Sequence, residues 1–190
     1  HVLCGVPKER IELITYGLDL SAWQPLPKTP RDDVLRIGYI GQLAPQKGVH
    51  VLIEAFKQLS PSARKPLLSI HGSLTAELEY VRALQKLAGD HPSITFAGEF
   101  DNARIAEVLQ QVDVLVVPSQ WYETGPLVTW EAFASRTPVL ATGLPNMRHQ
   151  IRHGVDGLLF APDGSEDLVR QLQRLLDEPE LVERLTSHIG

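Results

Sequence analysis

From residue 33 onward the sequence alternates short apolar runs with longer amphipathic segments, and no other feature restricts the fold as strongly. The apolar runs predict strands at 34–40, 66–71, 93–97, 112–117, 139–141 and 158–160. The remaining segments predict helices at 49–59, 75–88, 102–111, 127–134, 166–176 and 181–186. Strands alternating with helices form crossover units, so we predict a Rossmann-like, doubly wound α/β fold with a mainly parallel sheet of about six strands.

The first 30 residues differ from the rest of the chain. Prolines at positions 25, 27 and 30 argue against a helix or a central strand, because proline lacks the N–H that both need. We therefore divide the chain into an interdomain connector at 1–30 and a compact domain at 31–190. The chain opens with His1 rather than methionine, so we expect a fragment of a longer protein.

Charge and cysteine content narrow the possible functions. The net charge is −5 and no Lys/Arg-rich run occurs, so no nucleic-acid partner is expected. Cys4 is the single cysteine, which excludes an internal disulfide and a cysteine-based zinc site and favours a reducing, cytoplasmic location. No apolar run reaches the roughly 18–20 residues that span a bilayer.

In a doubly wound sheet, ligands bind where the strands end at their carboxyl edge. The loop after the first predicted strand starts with Gly41 and Gln42 and ends with Lys47 and Gly48. A glycine turn, a lysine and a helix N-terminus together suit a phosphate. The alternative is an ordinary loop with a solvated lysine, and the spacing of Gly38 and Gly41 does not match the dinucleotide fingerprint.

The loops after the second and third strands contain small and aromatic residues. Gly72 follows the second strand, and Gly98, Glu99 and Phe100 follow the third. Glycine allows a flat heterocycle to approach, and an aromatic ring can pack on it. The alternative is turn chemistry, and for Asp101 we favour that reading, as the cap of the next helix.

Two acids lie on either side of a predicted helix start after the fourth strand. Glu123 precedes Gly125 and Pro126, and Glu131 follows within the helix. Carboxylates accept hydrogen bonds from vicinal hydroxyls, so acids beside an anion site suit a sugar phosphate or a nucleotide sugar. Alternatively, both are solvated surface acids, although bulky neighbours such as Trp130 indicate that Glu131 is partly buried.

Residues 142–145 predict a turn after the fifth strand. His149, His153 and Asp156 follow it. The two histidines have helical spacing but lack a clear third ligand, so no metal site is predicted.

With these residues in view, the chain resembles the C-terminal, donor-binding domain of glycosyltransferase family 4 enzymes, one half of a GT-B architecture. The matching segments, in the family's order, are residues 16–19, 41–48, 96–98, 113–119, 131–134, 137–139 and 154–160. Glu123 and Glu131 resemble the family's paired glutamates at its spacing.

The resemblance implies transfer of a hexose from a UDP-, GDP- or ADP-sugar, with retention of configuration and without a metal or cofactor. It implies that Lys47 contacts the diphosphate, that Glu123 holds the hexose at the reacting carbon as the catalytic residue, and that Glu131 holds the ribose hydroxyls. The implied donor-binding residues are Gly41, Gln42, Lys47, Gly72, Gly98, Glu99, Phe100, Glu123, Thr124, Gly125, Pro126, Leu127, Val128 and Glu131.

One residue departs from the family pattern. The family usually has arginine after the loop glycine, whereas this chain has Gln42, which donates hydrogen bonds but carries no charge. The phosphate could then depend on Lys47 or Arg148. The departure keeps open a non-catalytic nucleotide-sugar-binding or assembly domain, and the architecture keeps open a related nucleotide-sugar epimerase.

The resemblance also implies a missing N-terminal domain that binds the acceptor. Residues 1–30 would supply only the end of that domain and the connector. We therefore expect this chain to bind the donor without turning it over, and we expect any contact with a membrane surface to come from the missing part.

Overall fold

The computed structural model describes residues 5, 7–10, 18, 23, 33–122, 126–162 and 164–190. The strands are β1 (Val34–Ile40), β2 (Lys65–His71), β3 (Ile94–Gly98), β4 (Val114–Val117), β5 (Val139–Thr142) and β6 (Gly157–Phe160). The α-helices of the described residues are α1 (Val49–Lys57), α2 (Leu78–Ala88), α3 (Ile105–Gln110), α4 (Leu127–Ala134), α5 (Pro145–Gln150), α6 (Ser165–Asp177) and α7 (Pro179–Ser187).

All six strands are parallel and form one sheet in the order β3-β2-β1-β4-β5-β6. The chain builds outward from β1 to β3, then returns to place β4 on the other side of β1. All residues of β4 and β5 are buried, as expected for strands covered on both faces. The predicted doubly wound fold is thereby confirmed.

Helices cover both faces of the sheet, and each face has its own hydrophobic core. The helices α1, α2, α6 and α7 contribute to one cluster of buried residues, which includes Ile37, Phe56 and Leu172. The helices α3, α4 and α5 contribute to the other, which includes Leu109 and Met147. The central strands are therefore rigidly held, and the loops at their ends are positioned by them.

A bidentate ion pair joins the amino ends of β1 and β4. The Arg36 side chain donates to Asp113 through Nε at 3.0 Å and Nη2 at 2.5 Å, and the Arg36 backbone N–H adds a third bond at 2.7 Å. The two side chains are only 15% and 13% exposed. This pair fixes β1 beside β4 at the edge opposite to the loops that the sequence singled out.

Several helix and turn boundaries in the structure differ from the predicted ones. The first strand and the helix at 127–134 have the predicted limits, whereas α2 begins at Leu78 rather than at 75. The predicted helix at 102–111 begins as a 3₁₀ turn, which Asp101 caps by accepting from the Ala103 N–H at 3.0 Å, as predicted. The turn predicted at 142–145 was wrong at its end, because α5 starts at Pro145.

The connector predicted at 1–30 lies almost entirely outside the described residues. In the described part of the chain, no helix combines the length and apolar character that crossing a bilayer requires.

Candidate functional site

The strand order reverses between β1 and β4, and two chain segments leave the carboxyl edge of the sheet at this switch point. After β1 the chain continues into residues 41–48, and after β4 into residues 118–126. Because Ile37 on β1 lies opposite Val114 on β4, the two segments emerge side by side. In doubly wound sheets this is the position where ligands bind.

Backbone contacts hold the start of the loop after β1. The Gly41 N–H donates to the His71 carbonyl at 3.1 Å. The Tyr39 hydroxyl, on a side chain only 3% exposed, donates to the Gln42 carbonyl at 2.7 Å. Since both anchors use the backbone of the loop, the position of Gln42 does not depend on its own side chain, which is exposed.

Lys47 lies two residues before Val49, the first residue of α1. A 3₁₀ turn at Pro45–Lys47 leads into Gly48, which has a φ of 71° and serves as the N-cap of the nine-residue α1. The helix dipole and the unpaired N–H groups of a first turn favour an anion. A cationic side chain next to a helix start is therefore suited to a phosphate.

A cleft of about 300 Å³ opens at the carboxyl ends of β1, β2 and β3. Its lining residues are Ile40, Gly41, Gln42, His71, Gly72, Ser73, Glu99, Phe100 and Asn102. The predicted donor-binding residues among them are Gly41, Gln42, Gly72, Glu99 and Phe100. The cleft thus brings the predicted phosphate loop together with the loop predicted to contact a base.

The floor of this cleft leaves no room for a side chain at Gly72. A Cβ atom there would lie 2.2 Å from the Gly41 carbonyl oxygen, and the Gly72 N–H donates to the Gly98 carbonyl at 3.0 Å. The rings of His71 and Phe100 meet edge to face with centroids 5.6 Å apart. Burial lowers the pKa of His71, so its imidazole is neutral at pH 7 and packs as an uncharged ring.

The start of the helix α4 and its N-cap supply three predicted residues on the other side of the switch point. Pro126 is its N-cap in extended conformation. Leu127 begins the helix and is 50% exposed, whereas Val128 packs against the core cluster formed with α3 and α5. Leu127 is therefore available to a ligand or partner, and Val128 has a mainly structural contact.

Glu131 lies in the middle of α4 and is half-buried. Burial raises the pKa of Glu131 above its ordinary value, because the charged form loses hydration. Within the part of the chain that the structure describes, its carboxylate has neither an ion pair nor a hydrogen bond. The predicted partial burial of Glu131 is thus confirmed, and such a carboxylate gains most from a ligand that donates hydrogen bonds.

Glu123, Thr124 and Gly125, the residues predicted around the transferred sugar, lie outside the described residues. On their amino-terminal side Trp121 and Tyr122 are 67% and 61% exposed. These two exposed aromatic side chains directly precede the residues predicted to hold the sugar.

Arg148, the alternative phosphate partner, belongs to α5 after β5. Its Nε donates to the Gly143 carbonyl at 2.7 Å, which anchors it two strands away from β1. Lys47, on the loop directly after β1, is therefore the better placed of the two cations. The described residues contain no group of three or more His, Cys, Asp or Glu side chains that could hold a metal ion.

Five residues near the site were not among the predicted donor-binding residues. Ile40, His71, Ser73 and Asn102 line the cleft, and they lie at or after strand ends in the sequence, which is the signal that could have identified them. Gln120 contacts the loop after β1 through its backbone N–H. No sequence signal reveals that contact, because it joins segments that are distant along the chain.

A larger cavity of about 570 Å³ lies apart from these residues. It is lined by the later residues of α4, by the segment that precedes β6 and by the last residues of the chain. None of its lining residues was predicted to bind the donor.

Comparison with known proteins adds to this geometry. Residues 26–188 match the protein family described as glycosyl transferases group 1. The chain is 28% identical over 185 residues to a glycogen synthase of Mycobacterium tuberculosis (strain CDC 1551 / Oshkosh), covering 96% of this chain and 44% of the relative. It is 30% identical over 198 residues to a D-inositol 3-phosphate glycosyltransferase of Rhodococcus opacus (strain B4), with the same coverages of 96% and 44%.

Among solved structures, the chain is similar to Anabaena Alr3699/HepE in complex with UDP and glucose. The TM-score is 0.84 at 23% identity, and the match covers 99% of this chain and 53% of the Anabaena chain. At this identity the similarity establishes the fold. The chain spans about half the length of the relatives that it matches.

Proposed function

The chain belongs to the glycosyl transferases group 1 family, and on that premise we propose that it is the donor-binding, C-terminal half of a retaining family 4 glycosyltransferase. The donor is a UDP-, GDP- or ADP-hexose. The observation that carries the proposal is the half-buried carboxylate of Glu131, which has no partner in the described part of the chain and stands on the helix after β4.

In this proposal Glu131 binds the ribose, and the cleft at the ends of β2 and β3 receives the base that is bonded directly to that ribose. Glu131 accepts hydrogen bonds from the two ribose hydroxyls, which compensates the hydration that its burial removes. The base enters the cleft beside Glu99 and Phe100, where Gly72 allows its flat ring to approach the backbone.

The diphosphate follows the ribose and connects it to the hexose. As the bond between the anomeric carbon and the phosphate oxygen breaks, its electrons pass to the diphosphate, which gains negative charge. Lys47 and the N-terminus of α1 stabilise that charge. These cationic and dipolar groups take the part that a divalent metal plays in other transferases, so we propose a metal-independent reaction that needs no cofactor.

In this proposal Glu123 and residues 124–126 bind the transferred hexose. We propose Glu123 as the catalytic residue, which holds the hexose close to the reacting carbon. The resemblance to family 4 supports this role and supports retention of the anomeric configuration. Exposed Leu127, directly after this segment, lies where the sugar or the acceptor passes.

The acceptor site belongs to the other half of the full-length protein. This chain spans 44% of the length of each of the two relatives compared above, so a domain of similar size remains to supply acceptor contacts. We propose that the chain alone binds a nucleotide sugar without transferring it. We also propose a cytoplasmic location, supported by the single cysteine, with any contact to a membrane surface made by the other half.

Calorimetric titration of the chain with UDP, GDP and ADP tests the proposal, with UDP-glucose added because the Anabaena protein was solved with UDP and glucose. We expect one of these nucleotides to bind. Glu131→Gln should lower the affinity for that nucleotide about 10- to 100-fold, because hydrogen bonds to a charged group contribute about 1.5–3 kcal/mol.

The matched control is Glu183→Gln, which replaces an exposed glutamate on α7 and should leave the nucleotide affinity unchanged. A folded chain that binds none of these nucleotides would overturn the proposal. Equal losses in the two variants would refute the ribose role of Glu131.

Gln42 supports one second candidate, a nucleotide-sugar-binding domain without catalytic activity. Its neutral side chain lines the cleft at the position where the family usually has arginine. A full-length protein that binds the donor but neither transfers nor hydrolyses the sugar would favour this candidate over the transferase.

A further inference from the structure

The two segments at the switch point are joined by direct contacts through Gln120. Its backbone N–H donates to the Gln46 carbonyl at 2.8 Å. Its side-chain Nε2 donates to the Pro118 carbonyl at 2.9 Å, which closes the turn at the end of β4. Gln120 therefore connects the loop that precedes α1 with the segment that precedes α4.

Gly48 brings the two segments closer than any other residue type would allow. A Cβ atom on Gly48 would lie 1.9 Å from the Pro118 carbonyl oxygen and 3.2 Å from Nε2 of Gln120. The φ of 71° at Gly48 independently favours glycine. The Pro118 carbonyl and the Gln120 amide thus lie directly against the backbone of Gly48, the residue after Lys47.

The side chain and the backbone N–H of Gln120 bond to different segments, the first to Pro118 and the second to Gln46. With the Nε2 amide on the Pro118 carbonyl, the turn is fixed and the N–H is directed at Gln46, the residue before Lys47. Lys47 is thereby flanked on both sides by contacts from the segment after β4. The Gln120 residue itself is exposed, so these bonds add local order to the loop and little to the core.

We propose that Gln120 is a positioning residue, which fixes Lys47 where it contacts the diphosphate of the donor. This inference rests on the proposed function, since it assigns Gln120 a part in holding the same ligand. Without the side-chain amide the turn loosens, the contact with Gln46 weakens, and Lys47 spends less time in its binding position. The effect on affinity passes through Lys47 and is absent when Lys47 cannot bind phosphate.

A double-mutant cycle distinguishes this role from a general structural one. The variants are Gln120→Met, which keeps the length of the side chain but removes its donor, Lys47→Met, and the combination of both. Each is titrated calorimetrically with UDP, GDP and ADP. We expect Gln120→Met to weaken diphosphate binding about fivefold in the Lys47 background, the effect of one lost hydrogen bond, and to have no effect in the Lys47→Met background.

Gln58→Met is the matched control. The Nε2 of Gln58 also donates to a backbone carbonyl, that of Glu54 at 3.1 Å, at the far end of α1. It should leave affinity unchanged in both backgrounds. Thermal unfolding and circular dichroism verify that every variant is folded. If Gln120→Met does not fold, Gln120→Ser is used in its place.

The outcomes separate the two proposals. If the folded wild-type chain binds none of the three diphosphates, the proposed function fails and this inference fails with it. If the wild type binds and Gln120→Met causes the same loss in both backgrounds, or no loss in either, the proposed function stands and the positioning role of Gln120 is refuted.

Discussion

Replacing Gln42 by arginine supplies the charge that the resemblance to family 4 predicts for this position. Gln42 lines the cleft with its side chain exposed. The loop is anchored through the Gln42 backbone by the buried Tyr39 hydroxyl. The substitution therefore adds a positive charge without removing any contact that holds the loop.

The size of the effect follows from the exposure of the site. Two unit charges about 4 Å apart interact by about 1 kcal/mol in water and about 4 kcal/mol at a typical protein surface. Ordering a long arginine side chain offsets part of this gain. We expect a net gain of about 1–2 kcal/mol, which tightens diphosphate binding about 5- to 30-fold.

Titration at two salt concentrations is the appropriate assay, because an exposed charge is screened. The gain from Gln42→Arg should shrink markedly between about 0.05 M and 0.5 M salt. Gln58→Arg introduces the same charge at an exposed position away from the cleft and controls for net charge. Binding that is unchanged, or tightened equally by both substitutions, would refute the reasoning that the neutral Gln42 limits diphosphate affinity.

Two further predictions concern stability and space at the site. Burial raises the pKa of Glu131, so the stabilisation from its protonated carboxyl is fully present below the pKa of the unfolded chain and is lost as pH rises through the raised value. Glu131→Gln should therefore increase the melting temperature at pH 7 but not at pH 3. An equal increase at both pH values would contradict this. Gly72→Ala should lower the free energy of unfolding by about 1–3 kcal/mol in a urea titration, since its Cβ would lie 2.2 Å from the Gly41 carbonyl oxygen. It should also weaken nucleotide binding. The control Gly190→Ala, with no atom within 4 Å of its Cβ, should change neither stability nor binding.

The sequence was most informative where proline or glycine marks the end of an element. The strand Val34–Ile40 and the helix Leu127–Ala134 have the predicted limits, since Gly41 follows the strand and Pro126 precedes the helix. The helix Pro145–Gln150 was missed, since Met147 is its one buried residue and a single apolar position has no period. Local pattern therefore predicts elements with several apolar residues and marked ends, and it misses a short helix that buries a single residue.

For the site, the sequence identified loops better than contacts. Gly72 and Phe100 could be predicted because each follows a strand end, and the structure brings both into one cleft. The contacts of Gln120 could not be predicted, because they require β4 to pair with β1 rather than with β3. That choice is made by the packing of whole helices and strands, which no short motif encodes.

The pairing of β1 with β4 also has a kinetic consequence. Arg36 and Asp113, which join these strands, are 77 residues apart, a longer separation than any other neighbouring strands in the sheet bridge. Closing a long segment is entropically costly and slows folding. The half of the sheet around β2 and the half around β5 can each form from nearer pairings, but the loop before α1 and the segment after β4 come together only once the two halves meet. Recovery of nucleotide binding during refolding would therefore report this single late step of assembly.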